Sequence, residues 1–389
     1  MRFVPSHHRV RPTTSREGAL PRSRAETSKR ALARIQRLCC LGIGGEMLIP
    51  DLIQEVAGLI PTPHGQFFWL GRNAEITNSY STLPTWRKAL YFKEFYRTCR
   101  ESAVIGPSGD LLHWPGSKPV IHTRQRLITD RRTFETSDFY NLLWRPVDIN
   151  DGLMLRVREA GRSLGVLYVW QEAKGPPFDP SDYEILGSIA GFVAHGMAHA
   201  TLGEQAFIDC DDRALFVADL NGSVRHASEQ AQRLLMMALV PRWSPTANWS
   251  SWHEPAPEIA ALCRSLAATA NGKIGQSRPI QRLRTPWGVF VLRAYWFGAT
   301  DGTEQTSQIG ITIERRVPLA LALRRGVEGL PLTGREKQLC LLLTHDRSRE
   351  DLADAMGVST GTIITHQSSI YAKLGVHSRS ELLAALLPG

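Results

Sequence analysis

One short motif in this chain could serve nucleophilic catalysis. Gly161, Ser163 and Gly165 fit the pattern GxSxG, in which a serine hydroxyl attacks an acyl carbon. That chemistry needs the serine on a sharp turn from a strand into a helix, so that its hydroxyl projects over the sheet. Here alternating apolar residues on both sides predict strands, which places Ser163 in the turn of a β-hairpin. The motif therefore does not predict a hydrolase.

Other patterns that could carry chemistry are incomplete. The glycine-rich run 41–46 lacks the third glycine and the preceding strand of a dinucleotide site, and neither a Walker motif nor an HExxH zinc motif is present. The six cysteines have no metal-ligand spacing and form no disulfide framework, which is typical of a reducing compartment. The sequence therefore predicts a protein that is not an enzyme and that holds no cofactor or metal ion.

A different kind of chemistry is indicated near the C-terminus, where residues 360–374 have two unlike helical faces. Ile363, Ile370 and Leu374 recur at helical spacing and predict a buried stripe, with Val376 just beyond it. The residues half a turn away are small or uncharged: Gly361, Ile364, Thr365, Ser368 and Ala372. A nucleic-acid backbone or base edge could approach such a face closely, so we predict an exposed binding surface here.

The elements around this helix have start signals of their own. Three capping-box pairs are present: Thr333 with Glu336, Ser348 with Asp351, and Ser378 with Glu381. Gly357 permits a tight turn, and Ser359 can cap the helix that follows it. The segment therefore predicts four short helices. A short helix, a glycine turn and a longer helix make the helix-turn-helix arrangement, whose second helix lies in the DNA major groove.

This segment resembles the DNA-binding domain of LuxR-type transcriptional regulators. It contains the blocks LTGRE, DLADAMGVS, GTIITH and IYAKLGVHSR in the order and at the spacing of that family. The resemblance covers about the last sixth of the chain and implies binding to double-stranded DNA. The DNA-binding residues that it implies are Thr362, Ile364, Thr365, His366, Gln367, Ser368 and Lys373.

Two positions depart from the family pattern. Asp346 stands where the family usually has a glycine, and Ile364 stands where it usually has a lysine. With Ile364 there, one phosphate or guanine contact is lost, and an apolar contact with a thymine methyl group becomes available. One alternative is therefore a degenerate domain kept for dimerisation alone. Intact caps and an intact core specify the fold but do not establish DNA binding. Our prediction is that the segment binds DNA.

Charge is distributed unevenly along the chain, whose net charge is +9. Residues 1–38 contain ten Lys and Arg against two acidic residues, whereas the segment from Pro331 onward has six of each sign. The basic balance therefore does not itself indicate DNA binding. Residues 1–30 are rich in Arg, Ser and Pro, which predicts a disordered basic tail. We favour an unstructured extension or a start codon assigned too early over an arm that binds DNA phosphates.

The region from Ala31 to Ala200 alternates helical and β-rich segments. The run 153–170 reads as a hairpin about Gly161, the run 176–182 as a turn closed by an aspartate cap, and the following residues as one long helix. This order resembles the second half of a GAF domain. We therefore predict a GAF-like sensor domain over 31–200.

A second α/β region is predicted over 203–316. Two strands pair across Asn221-Gly222 and lead into a helix, and two more strands follow at 287–297 and 308–316. This pattern resembles a PAS domain. Residues 317–328 then predict a short helical linker. Several aromatic residues of the middle region could line a ligand pocket or pack in the core: Trp69, Tyr80, Trp86, Trp144 and Trp170.

A neutral DNA-binding segment with one short recognition helix should bind weakly as a single copy. We therefore expect a homodimer in which the sensor domains act as the tether. Leu382, Leu383 and Leu387 cluster on the last helix and could add a contact between the two DNA-binding segments.

The predicted fold is a multidomain α+β protein with GAF-like and PAS-like sensor domains, followed over 329–389 by an all-α, four-helix LuxR-type helix-turn-helix domain. The resemblances imply a cytoplasmic bacterial regulator that couples a signal at the sensor domains to operator binding. Its expected partners are double-stranded DNA, a second copy of the chain and a small-molecule ligand. No membrane contact is expected, because no run reaches the roughly 20 apolar residues of a membrane helix. The alternative is a ligand-independent assembly protein whose helix-turn-helix domain still binds DNA or only dimerises.

Overall fold

The computed structural model describes nine stretches of the chain: residues 24–73, 75–95, 119–123, 130–200, 206–240, 256–270, 279–297, 308–343 and 347–387. These residues form two five-stranded antiparallel sheets, helices that pack on them, and a C-terminal group of helices. Within the described stretches, no helix has both the length and the apolar character needed to cross a bilayer. Two sequence features, the tail over 1–23 and Asp346, lie outside the described residues.

The first sheet is built from strands that are far apart in sequence. Its strands are β1 (His64–Leu70), β2 (Ile76–Ser81), β3 (Val120–His122), β4 (Ile149–Glu159) and β5 (Arg162–Glu172). The α-helices described in this unit are α1 (Arg24–Cys39), α2 (Gly45–Leu59), α3 (Thr85–Leu90), α4 (Arg131–Thr136), α5 (Pro180–Ser188) and α6 (Ala190–Ala198). Neighbouring strands follow the order β2-β1-β5-β4-β3. Helices α2 and α6 cover one face of the sheet, with α1 packed against both of them, and an aromatic-rich cluster covers the other face.

The second sheet repeats this topology. Its strands are β6 (Phe207–Ala218), β7 (Val224–Ala227), β8 (Ile280–Thr285), β9 (Gly288–Phe297) and β10 (Gln308–Pro318), and α7 (Glu229–Leu239) and α8 (Pro257–Ala270) pack against it. The order is β7-β6-β10-β9-β8. Counted within each unit, both sheets therefore have the strand order 2-1-5-4-3.

Both predicted hairpins are confirmed. β4 and β5 pair about Gly161, whose φ of +81° lies in the left-handed region that glycine tolerates. Ser163 lies on β5, just past the hairpin turn in which the sequence placed it. Its hydroxyl accepts hydrogen bonds from Arg156 at 3.1 and 3.0 Å. At the second hairpin Gly222 has a φ of +87°, and the Asp219 carboxylate accepts the Asn221 N–H at 2.9 Å.

Two helix limits differ from the sequence-based expectation. α1 begins at Arg24 rather than Ala31, so residues 24–30 of the predicted disordered tail are helical; they include several good helix formers. The long helix expected after residue 182 is two helices, α5 and α6, which are separated at Ile189. Glycines at 187 and 191 flank this break, and glycine is a poor helix former.

The aspartate cap predicted for this region is present. The Asp179 side chain accepts the N–H groups of Ser181 and Asp182, and Asp182 accepts the Asp179 N–H in return.

The buried apolar core is continuous between the two sheet units. One cluster runs from Ala31 in α1 to Ala322, just past β10. At the junction, the Trp287 ring lies 5.5 Å from the Trp69 ring and 5.9 Å from the Tyr80 ring. The two predicted sensor regions therefore share a packed interface.

The predicted linker is a helix that is packed on both sides. β10 continues at Pro318 directly into α9 (Leu319–Glu328), as the predicted helical linker requires. Leu321 and Ala322 of α9 belong to the core of the sheet units, whereas Leu323 and Val327 belong to the core of the C-terminal helices. α9 therefore joins the two cores by packing against both of them.

Candidate nucleic-acid interface

Four helices follow α9 in the described residues, in agreement with the prediction. They are α10 (Gly334–Leu343), α11 (Arg349–Met356), α12 (Thr360–Leu374) and α13 (Arg379–Leu386). The first capping box is present: Glu336 accepts the Thr333 N–H at 2.7 Å, and Thr333 accepts the Glu336 N–H at 3.3 Å. The second pair, Ser348 and Asp351, makes both reciprocal bonds at 3.1 and 3.2 Å.

The cap of α13 differs slightly from the prediction. Ser378 accepts the Glu381 N–H at 3.1 Å, but the Glu381 carboxylate accepts the N–H of His377, one residue earlier, at 2.9 Å. The start of α12 is as predicted, since Ser359 accepts the Thr362 N–H at 3.2 Å. These local bonds fix where the helices begin and therefore which side chains share a face.

The glycine turn between α11 and α12 also has the expected geometry. Gly357 ends α11 with a φ of +62°, and Gly375 ends α12 with a φ of +65°. Both values lie in the left-handed region that glycine adopts at helix C-termini. α12 is therefore defined at both ends, by Ser359 and by Gly375.

The two faces of α12 are those predicted from periodicity. Ile363 and Ile370 are fully buried, and Leu374 is half-buried against the same core. On the other side, Ile364 is 44% exposed. The remaining members of that side are exposed as well: Gly361, Thr365, Ser368 and Ala372. The exposure of this face is confirmed, and its contact with DNA stays a prediction.

Other predicted DNA-binding residues are only partly accessible. Thr362, His366 and Gln367 are half-buried. Gln367 Nε2 donates to the Tyr371 hydroxyl at 3.1 Å. Each of these side chains therefore offers only part of its surface to a ligand on the exposed side.

Lys373 has a structural role that its sequence position did not indicate. Its Nζ lies 2.7 Å from both carboxylate oxygens of Glu336, which is only 3% exposed. The same carboxylate accepts hydrogen bonds from the Ser369 hydroxyl and the Thr333 N–H, each at 2.7 Å. Burial opposes ionisation, but these hydrogen bonds outweigh it and lower the pKa of Glu336 to about 2. The pair fixes α12 against α10, and DNA binding by Lys373 stays a prediction.

The sequence of α12 contains no acidic residue. The amide dipoles of the helix add partial positive charge at its N-terminal end. Along its exposed face, a polyanion would therefore meet no repulsive carboxylate from α12 itself. This face of α12 is exposed, its side chains are uncharged, and the helix has no Asp or Glu. Such a surface can approach a DNA duplex.

Ion pairs join α9 to the first sheet unit. Arg325 donates two hydrogen bonds to the Asp51 carboxylate of α2, at 2.8 and 2.7 Å. The adjacent Arg324 pairs with Glu55, also on α2. Arg37 of α1 pairs with Glu328 at 2.7 Å. Because α9 also contributes to the core of the C-terminal helices, these pairs set the position of those helices relative to the first unit.

Close packing joins α9 to α13. A Cβ atom added to Gly326 would lie 1.9 Å from the carbonyl oxygen of Leu386, so only glycine fits at this crossing. Leu382 and Leu386 are fully buried beneath α9. The suggestion that Leu382 contacts a second DNA-binding segment is therefore wrong, because its side chain lies in the core of its own chain.

Several tryptophans that could have lined a ligand pocket are core residues. Trp69, Trp144 and Trp170 are buried, and the Trp144 and Trp170 rings lie 5.3 Å apart. Trp86 is instead 44% exposed. The buried positions agree with the core-packing alternative.

Comparison with known proteins identifies the C-terminal segment. Residues 330–386 match the family "Bacterial regulatory proteins, luxR family". A helix-turn-helix transcriptional regulator from Aeromonas salmonicida, described by its place in the exeN 3' region, is 39% identical over 61 residues. That match covers 16% of this chain and 31% of the relative, so the chain spans about a third of the relative's length.

Solved structures resemble larger parts of the chain at low similarity. Escherichia coli SdiA has 10% identity and a TM-score of 0.31, covering 93% of this chain and 95% of its own. A GAF domain/HD domain protein from Geobacter sulfurreducens has 14% identity and a TM-score of 0.27, covering 42% of this chain and 97% of its own. Both TM-scores are below 0.5, and we draw no functional conclusion from them. The family match and the capped helices agree: residues 330–386 form a LuxR-type helix-turn-helix domain.

Proposed function

We propose that this protein is a transcriptional regulator that binds double-stranded DNA through the exposed face of α12. The observation that carries the proposal is the position of Ile364, Thr365 and Ser368, which lie outside the core on a helix without acidic residues. In helix-turn-helix domains, the second helix of the motif lies in the major groove. α12 is that helix here.

The three exposed side chains offer different base contacts. Ile364 can pack on a thymine methyl group, as Ala, Thr and Phe side chains do. Thr365 donates its hydroxyl hydrogen to the Gly361 carbonyl at 3.1 Å, which leaves the oxygen lone pairs to accept from a base amino group. Ser368 can donate or accept. We therefore expect the operator to contain a thymine close to an adenine or cytosine in each half-site.

Signal coupling through α9 is the second part of the proposal. The two sheet units act as GAF-like and PAS-like sensor domains, and their shared strand order supports the assignment of a related role to both. A ligand or partner that binds one arrangement of these units more tightly shifts the population toward it. The ion pairs of Arg324 and Arg325 with α2 would carry that change to the DNA-binding domain.

A homodimer on DNA completes the proposed mechanism. One recognition helix reads too few base pairs to locate an operator in a genome. Two helices tethered by the sensor units would read half-sites about one helical turn apart on an inverted repeat. The mass of the protein–DNA complex in light scattering tests this point, and a single chain on an intact operator would contradict it.

Mapping of the genomic binding sites tests the function as a whole. We expect a limited set of enriched sites that share an inverted repeat, and we expect a Ser368→Glu variant to lose them. The isoleucine at position 364 favours one competing function, an assembly module that dimerises without DNA. A wild-type protein without enriched sites would support that competitor and contradict the proposal. Equal enrichment of the same sites for the wild type and Ser368→Glu would contradict DNA binding through the exposed face of α12.

A further inference from the structure

Two histidines lie one helical turn apart at the C-terminal end of α6. His195 is exposed in the last turn, and His199 caps the helix, with its N–H donating to the His195 carbonyl at 3.0 Å. Residues four apart lie on the same face of a helix. The two imidazole rings accordingly lie side by side, with centroids 4.7 Å apart and planes inclined by 35°.

This separation of the rings fits a shared metal ion. A transition-metal ion lies about 2.0–2.1 Å from a ligating imidazole nitrogen, so two imidazoles on one ion have centroids about 4.5–5.2 Å apart at N–metal–N angles of roughly 90–110°. The observed 4.7 Å falls inside this range. The last torsion of a histidine side chain is broad, so an exposed ring can turn a nitrogen toward the ion while the helix stays in place.

A carboxylate orients one of the two rings. Glu159 Oε1, at the end of β4, lies 2.9 Å from His199 Nε2. An ionised carboxylate only accepts hydrogen bonds, so Nε2 donates, and in the neutral ring the Nδ1 lone pair is left for a ligand. Histidines that ligate metal ions almost always donate their other ring N–H to a carboxylate, a backbone carbonyl or a water. His199 therefore has the partner that a metal-binding histidine needs.

The charges around the two rings favour a cation. The free carbonyl groups in the last turn of a helix carry partial negative charge, and both histidines lie at that end of α6. Glu159 adds a carboxylate whose Oε2 is buried and has no hydrogen-bond partner among the described residues. A divalent cation at the rings would therefore lie close to two sources of negative charge.

The ligand set indicates which ions fit. His195 and His199 have the spacing of the two histidines in HExxH, but Gly196 stands in place of the glutamate that acts as general base. The pair therefore supports metal binding without hydrolysis. In the part of the chain that the structure describes, no three His, Cys, Asp or Glu side chains form a ready-made metal site, so water must complete the coordination. Imidazole ligands suit Ni²⁺, Cu²⁺ and Zn²⁺, whereas Mg²⁺ and Ca²⁺ prefer oxygen.

We propose that His195 and His199 bind one divalent transition-metal ion of the Ni²⁺, Cu²⁺ and Zn²⁺ group, with Glu159 holding the His199 ring in position. The expectation from sequence that the chain holds no metal ion rested on the cysteine spacing and the complete HExxH motif, neither of which this pair needs. The bound ion links the last turn of α6, through His199 and Glu159, to the end of β4. An effect of the ion on DNA affinity rests on the proposed function, whereas binding itself does not.

Calorimetric titration of the full chain with zinc chloride tests the site. We expect a saturable site for one Zn²⁺ that is weakened more than tenfold in His195→Gln and in His199→Gln. Glu159→Gln should weaken it several-fold, because the amide oxygen still accepts from His199 but carries no charge. His226→Gln is the matched control, because His226 is exposed on β7, and this variant should bind like the wild type.

Two further measurements separate chelation from other effects. Both histidines are exposed, so their variants should melt like the wild type in the absence of metal. Electron paramagnetic resonance of the Cu²⁺ complex should show coupling to two imidazole nitrogens in the wild type and to one in either histidine variant.

Three results would overturn the proposal. One is a wild-type protein without saturable Zn²⁺ binding. Another is binding that survives either histidine substitution, since it would mean that the ion needs only one of the two rings. The third is Mg²⁺ binding as tightly as Zn²⁺, which would indicate oxygen ligands. A protein that binds Zn²⁺ with these variant effects but binds no DNA would confirm the site and contradict only the proposed function.

Discussion

Arg325 of α9 and Asp51 of α2 form a two-pronged ion pair, with N–O distances of 2.8 and 2.7 Å. The Asp51 side chain is only 4% exposed. Arg325 lies in the helix that leads into the DNA-binding domain, and Asp51 lies in the first sheet unit. This pair therefore joins the two parts of the molecule that the proposed signal connects. Its burial makes it a connection with a measurable effect on stability.

Removal of one partner of this pair should destabilise the protein strongly. Asp51→Ala leaves the half-buried Arg325 guanidinium without its carboxylate, and we expect a loss that approaches the roughly 3–5 kcal/mol typical of a fully buried pair but stays below it, because Arg325 is 29% exposed. The free energy of unfolding in urea measures this loss. The double variant Asp51→Leu with Arg325→Leu should regain much of the stability, because it leaves no uncompensated charge.

An exposed pair of the same type provides the control. Arg131 and Glu135 form an ion pair one helical turn apart on α4, with the Arg131 side chain 70% exposed. Arg131→Ala should leave the unfolding midpoint unchanged within error, because exposed pairs contribute little. A wild-type midpoint for Asp51→Ala as well would show that α9 is not held by α2.

Acid should destabilise the DNA-binding domain through Glu336. The pKa of this carboxyl is about 2 in the folded protein against an ordinary value of 4.5. A lowered folded-state pKa means that the stabilisation is complete above about pH 4.5 and is lost as the pH falls toward 2. Unfolding of the wild type and Glu336→Gln at pH 6 and pH 3 measures the effect. The variant should be less stable at pH 6 and closer to the wild type at pH 3; a constant difference would contradict this.

The crossing of α9 and α13 should tolerate only glycine at position 326. In Gly326→Ala, the new methyl group would meet the Leu386 carbonyl oxygen, and the helices must shift at a cost of about 1–3 kcal/mol. Gly334→Ala is the matched control, since an added Cβ there meets no atom within 4 Å. Thermal melting should separate the two variants, and equal melting temperatures would refute the close contact between α9 and α13.

The features that were predictable from sequence are local. Ser348 and Asp351 are three residues apart, and the Asn221-Gly222 turn lies between the strands that it joins, so each signal is complete within a short window. The faces of α12 were predictable for the same reason, because helical geometry alone relates Ile363 to Ile370.

The features that could not be predicted depend on tertiary placement. Lys373 and Glu336 are 37 residues apart, and Arg325 and Asp51 are 274 residues apart. No local pattern marks either pair, since each carboxylate acquires its partner only when separate helices pack. The need for glycine at position 326 has no local signal either, because the Leu386 carbonyl that excludes a side chain comes from another helix.

The central claim is that the exposed face of α12 binds DNA, and a titration of two serine variants on one mapped operator tests it most directly. Ser368 lies on that face, whereas Ser380 is exposed on α13, so Ser368→Glu and Ser380→Glu make the same change at different places. We predict that Ser368→Glu weakens binding more than tenfold, equal to about 1.4 kcal/mol or more, while Ser380→Glu binds like the wild type and both melt normally. Wild-type affinity in a folded Ser368→Glu protein would contradict the claim.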